Sequence, residues 1–282
     1  MDKPEVLMSG LAIGESPRWH EGRLWFSNWC TEEIVAVDLD GDHEVVGHGP
    51  PGLGWATEWL PDGRLLVTGQ ELMRREPDGR MVRHVDLSGV ADHGWNEIVV
   101  DGRGNIYVNG FSFDFLGGAE PTPGIIAVVT PDGSARKVAD GLDFPNGMVV
   151  TPDKSTLIIA ESFAGRLTAF DIEDDGGLSN RRVWADLGGP GNGDGICLDA
   201  EGAVWTPAQG NACARVLEGG QVLQRIQLDR PCFACMLGGP DRRTLFMMAA
   251  DWQGVENVDD VIARRTGQVL VQQAPAPGAG WP

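Results

Sequence analysis

The chain has 282 residues, 42% hydrophobic and 22% charged, with a formal net charge of −19 and a sequence pI near 4.5. An acidic surface repels phosphate backbones and anionic headgroups, so neither nucleic acid nor membrane is an expected partner, while cation binding stays open. No apolar run reaches signal-peptide or membrane-spanning length, and the expected location is cytoplasmic.

Short β-rich runs begin near the N-terminus and continue to the end, punctuated by 40 glycines and 18 prolines. The first is "ESPRWHEGRLWF", a strand, a tight polar turn and a second strand. "IVAVDLDGDHEVVG" follows as another hairpin. The same pair of hairpins recurs with "ATEWLPDGRLLV" and "LMRREPDGRMVRHVD", then with "NEIVVDGRGNIYV" and "IIAVVTPDGSARKVAD". It recurs again with "NGMVVTPDKSTLII" and "LTAFDIEDDGGLSNRRVWAD", with "DGICLDAEGAVWT" and "ARVLEGGQVLQRIQL", and with "ACMLGGPDRRTLFM" and "VIARRTGQVLVQQ". The units start at Glu15, Ala56, Asn96, Asn146, Asp194 and Ala234, with steps of 41, 40, 50, 48 and 40 residues.

Four strands per 40–50 residues, six times over, predicts an all-β, six-bladed β-propeller of four antiparallel strands per blade, forming one domain over residues 1–282. No amphipathic helix of useful length competes. The last unit is short of an outer strand, and "PEVLMSG" near the N-terminus is expected to supply it.

Innermost strands of a propeller all run the same way, so their first residues ring one mouth of the channel. Here the ring reads Glu15, Ala56, Asn96, Asn146, Asp194, Ala234. Four oxygen-bearing side chains, two of them anionic, suit a hard divalent cation, with Asn adding a carbonyl ligand without adding charge. No His or Cys occupies the ring, so a zinc-only design is disfavoured. The five cysteines (Cys30, Cys197, Cys213, Cys232, Cys235) are odd in number and irregularly spaced, unlike a secreted disulfide framework. "CFAC" at 232–235 has no second metal-binding pair and sits in an apolar strand-like run, so Cys232 and Cys235 are expected to be buried thiols.

The motifs "GESPRW" (14–19), "NEIVVDGRGNIYV" (96–108), "FPNGM" (144–148), "DGICLDAEGAVW" (194–205) and "RTGQVL" followed by "PGAGWP" span essentially the whole chain. Together they resemble the senescence-marker-protein/gluconolactonase (regucalcin-like) family. The resemblance implies a divalent cation in the channel held by Glu15, Asn146 and Asp194, with Asn96 ligating it or binding substrate. It implies calcium first, with zinc, manganese or iron as alternatives, and a small-molecule lactone or ester as substrate. Sugar-lactone members often carry an Arg two residues before the Asn at 96; here that residue is Gly94, and Glu97 stands where Asp is usual.

The expected activity is lactone hydrolysis, with the cation polarising the carbonyl and Asp194 as general base. Asn96, His93, Trp95 and Phe111 are expected to contact substrate, and the loop at 109–124 is a candidate lid. Alternative readings are an arylesterase or organophosphatase on the same metal, or a calcium-binding regulatory propeller without turnover. No G-x-S-x-G elbow competes as a nucleophile. The oligomeric state is not predicted.

Overall fold

The computed structural model describes residues 3–115 and 117–282; residues 1–2 of the 1–282 reading, and residue 116 of the 109–124 loop, lie outside the described residues. Among the described residues the strands form six four-stranded antiparallel sheets.

Chain order begins with β1 (Glu5–Leu11). The first blade is β2 (Ile13–His20), β3 (Arg23–Trp29), β4 (Glu33–Val37) and β5 (His43–His48). The second is β6 (Thr57–Trp59), β7 (Leu65–Val67), β8 (Leu72–Arg75) and β9 (Met81–Val85). The third is β10 (Ile98–Val100), β11 (Ile106–Gly110), β12 (Gly124–Val129) and β13 (Ala135–Leu142). The fourth is β14 (Pro145–Val150), β15 (Thr156–Glu161), β16 (Arg166–Ile172) and β17 (Leu178–Asp186). The fifth is β18 (Cys197–Leu198), β19 (Val204–Ala208), β20 (Ala212–Val216) and β21 (Val222–Gln227). The sixth is β22 (Cys232–Gly238), β23 (Thr244–Ala249) and β24 (Gly267–Gln273), completed on its outer edge by β1. The ring is thus closed by pairing the chain's first strand with its last, Glu5 opposite Val271 and Leu11 opposite Gly267, as the short sixth unit predicts.

Burial explains the repeat. Inner strands carry apolar side chains on both faces, because neighbouring blades cover them, and β10, β14 and β18 are buried at every position. Outer strands alternate: β21 reads exposed, exposed, half-buried, exposed, buried, exposed. Val37 and Phe26 of the first blade pack with Met247 and Phe246 of the sixth, and equivalent inter-blade clusters fill the other seams. Trp55, Trp95 and Trp205 are buried within this packing.

One expectation fails in the sixth unit. The segment "VIARRTGQVLVQQ" is not a hairpin: its first residues belong to helix α1 (Val258–Arg264), and only Gly267–Gln273 is strand. Asp259 and Asp260 in the first turn and Arg264 in the last complement the helix dipole, and Arg265 closes it in the left-handed conformation. The helix sits in the connection between β23 and β24. No helix among the described residues is long and apolar enough to cross a membrane.

All five cysteines are free thiols, and Cys197, Cys213 and Cys235 are buried. A β-bulge between Cys232 and Ala234 adds one residue to β22, bringing the half-buried Cys232 and the buried Cys235 to the same face. Cys232 Sγ donates to the Ala234 carbonyl at 3.6 Å and Cys235 Sγ to the Gly195 carbonyl at 3.5 Å.

Candidate metal and catalytic site

The six predicted positions converge because each lies at or just before an inner strand. Glu15 lies in β2 and Asn146 in β14, while Asn96 lies two residues before β10 and Asp194 three residues before β18. Ala56 and Ala234 are completely buried and keep the remaining two places small. Backbones approach closely at this level. A Cβ on Gly147 would fall 2.5 Å from the Asp194 carbonyl oxygen and 2.6 Å from the Ile196 nitrogen. The glycine after Asn146 is therefore needed to let the fourth and fifth blades meet beside two ring residues.

The ring side chains are held by a hydrogen-bonded collar. Ser16 N–H donates to a Glu15 carboxylate oxygen at 3.0 Å. The Asn146 amide donates to Ser162 Oγ at 3.3 Å, and that hydroxyl donates to the Gly193 carbonyl at 2.6 Å. Asn109 Nδ2 donates to the Asn146 carbonyl at 2.7 Å, and Thr68 Oγ1 donates to the Asn96 carbonyl at 2.7 Å. The collar leaves two acceptors open: Asn96 Oδ1 and Asp194 Oδ1 are buried and have no hydrogen-bond partner among the described residues. Buried carbonyl and carboxylate oxygens rarely stay unpaired without a ligand or water to satisfy them.

Electrostatics point the same way. Burial, then the negative charges of Asp194 and Glu97, push the Glu15 carboxyl well above its ordinary range, and Ser16 N–H and Arg18 offset only part of this. Asp194 is also pushed up, by burial and by Glu97, against hydrogen bonds from Asn146 and Gly195. The protein thus holds together two carboxylates that each disfavour the other's ionisation. A divalent cation removes that conflict, and the donor set of two carboxylates and two carboxamide oxygens fits one. No cluster of three or more His, Cys, Asp or Glu able to hold a metal occurs among the described residues, so the carboxamides are essential to this fit.

A second charged layer, unforeseen in the sequence, lies beneath the ring. Arg18 is buried, with Nε donating to Glu58 at 2.9 Å and Nη2 to Glu97 at 3.2 Å and to the Ile98 carbonyl at 2.7 Å. It ties the first, second and third blades together. Burial pushes both Glu58 and Glu97 up despite Arg18, because one guanidinium faces two carboxylates. The signal was present: Arg18, Glu58 and Glu97 each interrupt an apolar inner-strand run, and a buried charge requires a partner. A bulge between Glu15 and Arg18 turns the arginine to that face.

Of the expected substrate contacts, Asn96 lies in the ring, and Phe111 borders it: a carbon on Gly54 would be 3.5 Å from Asn96 Oδ1 and 3.6 Å from Phe111 Cε2. The other two are not brought there. Trp95 is a core residue packed between the second and third blades. His93 is exposed in a peripheral cleft with Gln70, Glu71 and Arg83, a cleft that no ring residue lines.

Over 98% of its length the chain is 29% identical to regucalcin of Xenopus laevis, covering 97% of that protein. It is 25% identical to a pentonolactonase of Haloferax volcanii, covering 90% of this chain and 87% of the other. The solved structure of a calcium-binding protein, regucalcin, from Agrobacterium tumefaciens superposes with a TM-score of 0.79 at 22% identity, covering 99% and 95% of the two chains. Residues 13–251 match the family described as SMP-30/Gluconolactonase/LRE-like region, a span that runs from the strand of Glu15 to the sixth blade and includes every ring residue; the chain belongs to that family.

Proposed function

We propose that this protein is a divalent-cation-dependent lactonase, with Glu15, Asn96, Asn146 and Asp194 holding the cation. The observation that carries the reading is the pair of unpaired buried oxygens, Asn96 Oδ1 and Asp194 Oδ1, in a ring with two mutually repelling carboxylates. The pentonolactonase relative makes lactone opening the family chemistry to test first. Calcium is the first choice of ion, because every donor is a hard oxygen.

When bound, the cation supplies a Lewis acid for the lactone carbonyl. Asp194 is the general base: it takes the proton of the attacking water as oxygen adds to the carbonyl carbon. The ring C–O bond then breaks, and the same carboxyl returns the proton to the departing oxygen, leaving a hydroxy acid. Glu15, fixed by Ser16 N–H, balances charge rather than moving protons. Asn146 is held by Ser162 and supports Asp194, and Asn96 presents its free Oδ1 to the channel. Five free thiols suit a reducing cytoplasmic setting.

The test is metal analysis of the purified protein, then a lactone and ester panel with Ca²⁺, Mn²⁺, Zn²⁺ or Fe²⁺ against EDTA. Cation-dependent lactone opening is the expected result. Tight cation binding without turnover on any member would instead favour a regulatory calcium-binding propeller.

A further inference from the structure

Five phenylalanines gather at the mouth beside Asn96 and Asn146. They come from three separate segments: Phe111, Phe113 and Phe115 after β11, Phe144 just before β14, and Phe163 in the turn after β15. Antiparallel pairing brings all three segments to the channel end where the ring lies. Phe144 is the centre, stacked on Phe111 and on Phe163 with ring centroids 4.2 Å apart in each case. Phe115 meets it edge-on at 5.1 Å, and Phe113 lies 6.2 Å away.

The cluster is wired to the metal-site collar. Ser162, which accepts from the Asn146 amide, donates its own N–H to the Phe144 carbonyl at 3.1 Å. Phe163 N–H donates to the Asp143 carbonyl at 3.2 Å. Phe111 Cε2 and Asn96 Oδ1 flank the one-carbon gap above Gly54.

Two features set this cluster apart from ordinary core. Phe163 is 41% exposed, and Phe111, Phe115 and Phe144 are only half-buried, so the stack keeps apolar surface in water. Phe144 is also held at φ +58°, the left-handed region that L side chains rarely adopt. Such strain beside a site is retained when the side chain's position is useful. Nearby, Gly94 adds no polar side chain, because a Cβ there would lie 2.9 Å from the Gly69 carbonyl oxygen.

Resting on the lactonase reading above, we propose that the phenylalanine stack is the substrate-specificity wall, and that the preferred substrate is an uncharged lactone or ester bearing an aryl ring or alkyl chain. A polyhydroxylated lactone would place hydroxyls against aromatic faces that cannot pair with them. An aryl or alkyl group would instead extend the Phe111–Phe144–Phe163 stack and cover its wet surface.

The experiment compares kcat/KM for dihydrocoumarin, γ-nonalactone and glucono-1,5-lactone in the cation-loaded wild type and in Phe163→Ser and Phe144→Gly. The first variant alters an exposed ring, and the second places glycine where the left-handed backbone suits it. In parallel, calorimetry measures binding of the non-hydrolysable aryl lactam 3,4-dihydroquinolin-2-one to the same proteins. The expected result is at least tenfold preference for the apolar lactones over gluconolactone, falling about tenfold in each variant, with lactam binding weakened about tenfold in parallel. Turnover that favours gluconolactone overturns the proposal and leaves the lactonase reading standing. If no lactone is opened, the lactonase reading fails, and the calorimetry decides the wall: lactam binding weakened by both variants supports it, and absent or unchanged binding overturns it.

Discussion

Replacing Glu15 with Gln should have opposite effects with and without cation. Gln keeps the shape and an oxygen able to accept from Ser16 N–H, but removes the charge facing Asp194 and Glu97. In EDTA this relieves an incompletely compensated buried carboxylate, by about 2 kcal/mol. At about 2 °C per kcal/mol for a chain of this size, the melting temperature should rise about 4 °C. With cation the sign reverses. At a concentration about a thousand times Kd, the wild type gains about 4 kcal/mol, or about 8 °C; a hundredfold weaker site in the variant gains about 1.4 kcal/mol, or about 3 °C. The gain from Gln also depends on pH in a defined direction. The folded carboxyl of the cation-free protein is raised above its ordinary value of 4.5, so the fold favours the protonated form. The cost of Glu15 is therefore absent below the ordinary value and grows as pH rises through the raised one. The EDTA advantage of Gln should be smaller at pH 5 than at pH 8. Differential scanning fluorimetry over calcium concentration and pH measures all of this. A variant less stable than wild type in EDTA, with an unchanged calcium shift, would refute the assignment of Glu15 to the cation.

Three further outcomes are expected. Asp194→Asn should fold and lose about 10²- to 10⁴-fold in kcat; an active, cation-loaded variant would move the general base elsewhere. Arg18→Met leaves Glu58 and Glu97 buried without their guanidinium and should cost about 3–5 kcal/mol in thermal or urea melts, most of it recovered when Glu58→Gln and Glu97→Gln are added. Deleting residues 1–11 removes β1 from the sixth blade, and the melting temperature should fall sharply; an unchanged melt would show that the blade holds without its outer strand.

The propeller and its ring were legible because they depend on local, repeated signals. Turn chemistry recurs at near-constant spacing, and the residue opening each hairpin pair marks the same level of the channel. What was not legible depended on departures from the repeat. Arg18 reaches Glu58 and Glu97 only because a bulge shifts the register after Glu15. A bulge likewise puts Cys232 and Cys235 on one face, where strict alternation would separate them. The meeting of Phe144 and Phe163 with Phe111 has no sequence signal, since nothing in their spacing tells that three loops come together. Residues 258–264 carry β-branched Val and Ile that suggest strand, but the acidic first turn, the basic last turn and the left-handed Arg265 at the C-terminal end favour helix. Trp95 and His93 sit one and three residues from Asn96, yet alternation and loop direction send them to the core and the periphery.

The pairing of Leu11 with Gly267 spans 267 − 11 = 256 positions of chain. During synthesis at roughly 5–20 residues per second, β1 waits on the order of 13–50 s before its partner exists. For that interval a strand reading "EVLMSGL" has no sheet to join. In the finished clasp the ladder is interrupted twice, between Val6 and Met8 and between Ser9 and Leu11. Closure is therefore a late event by construction: the sixth blade, and with it the complete channel, cannot form until almost the whole chain exists.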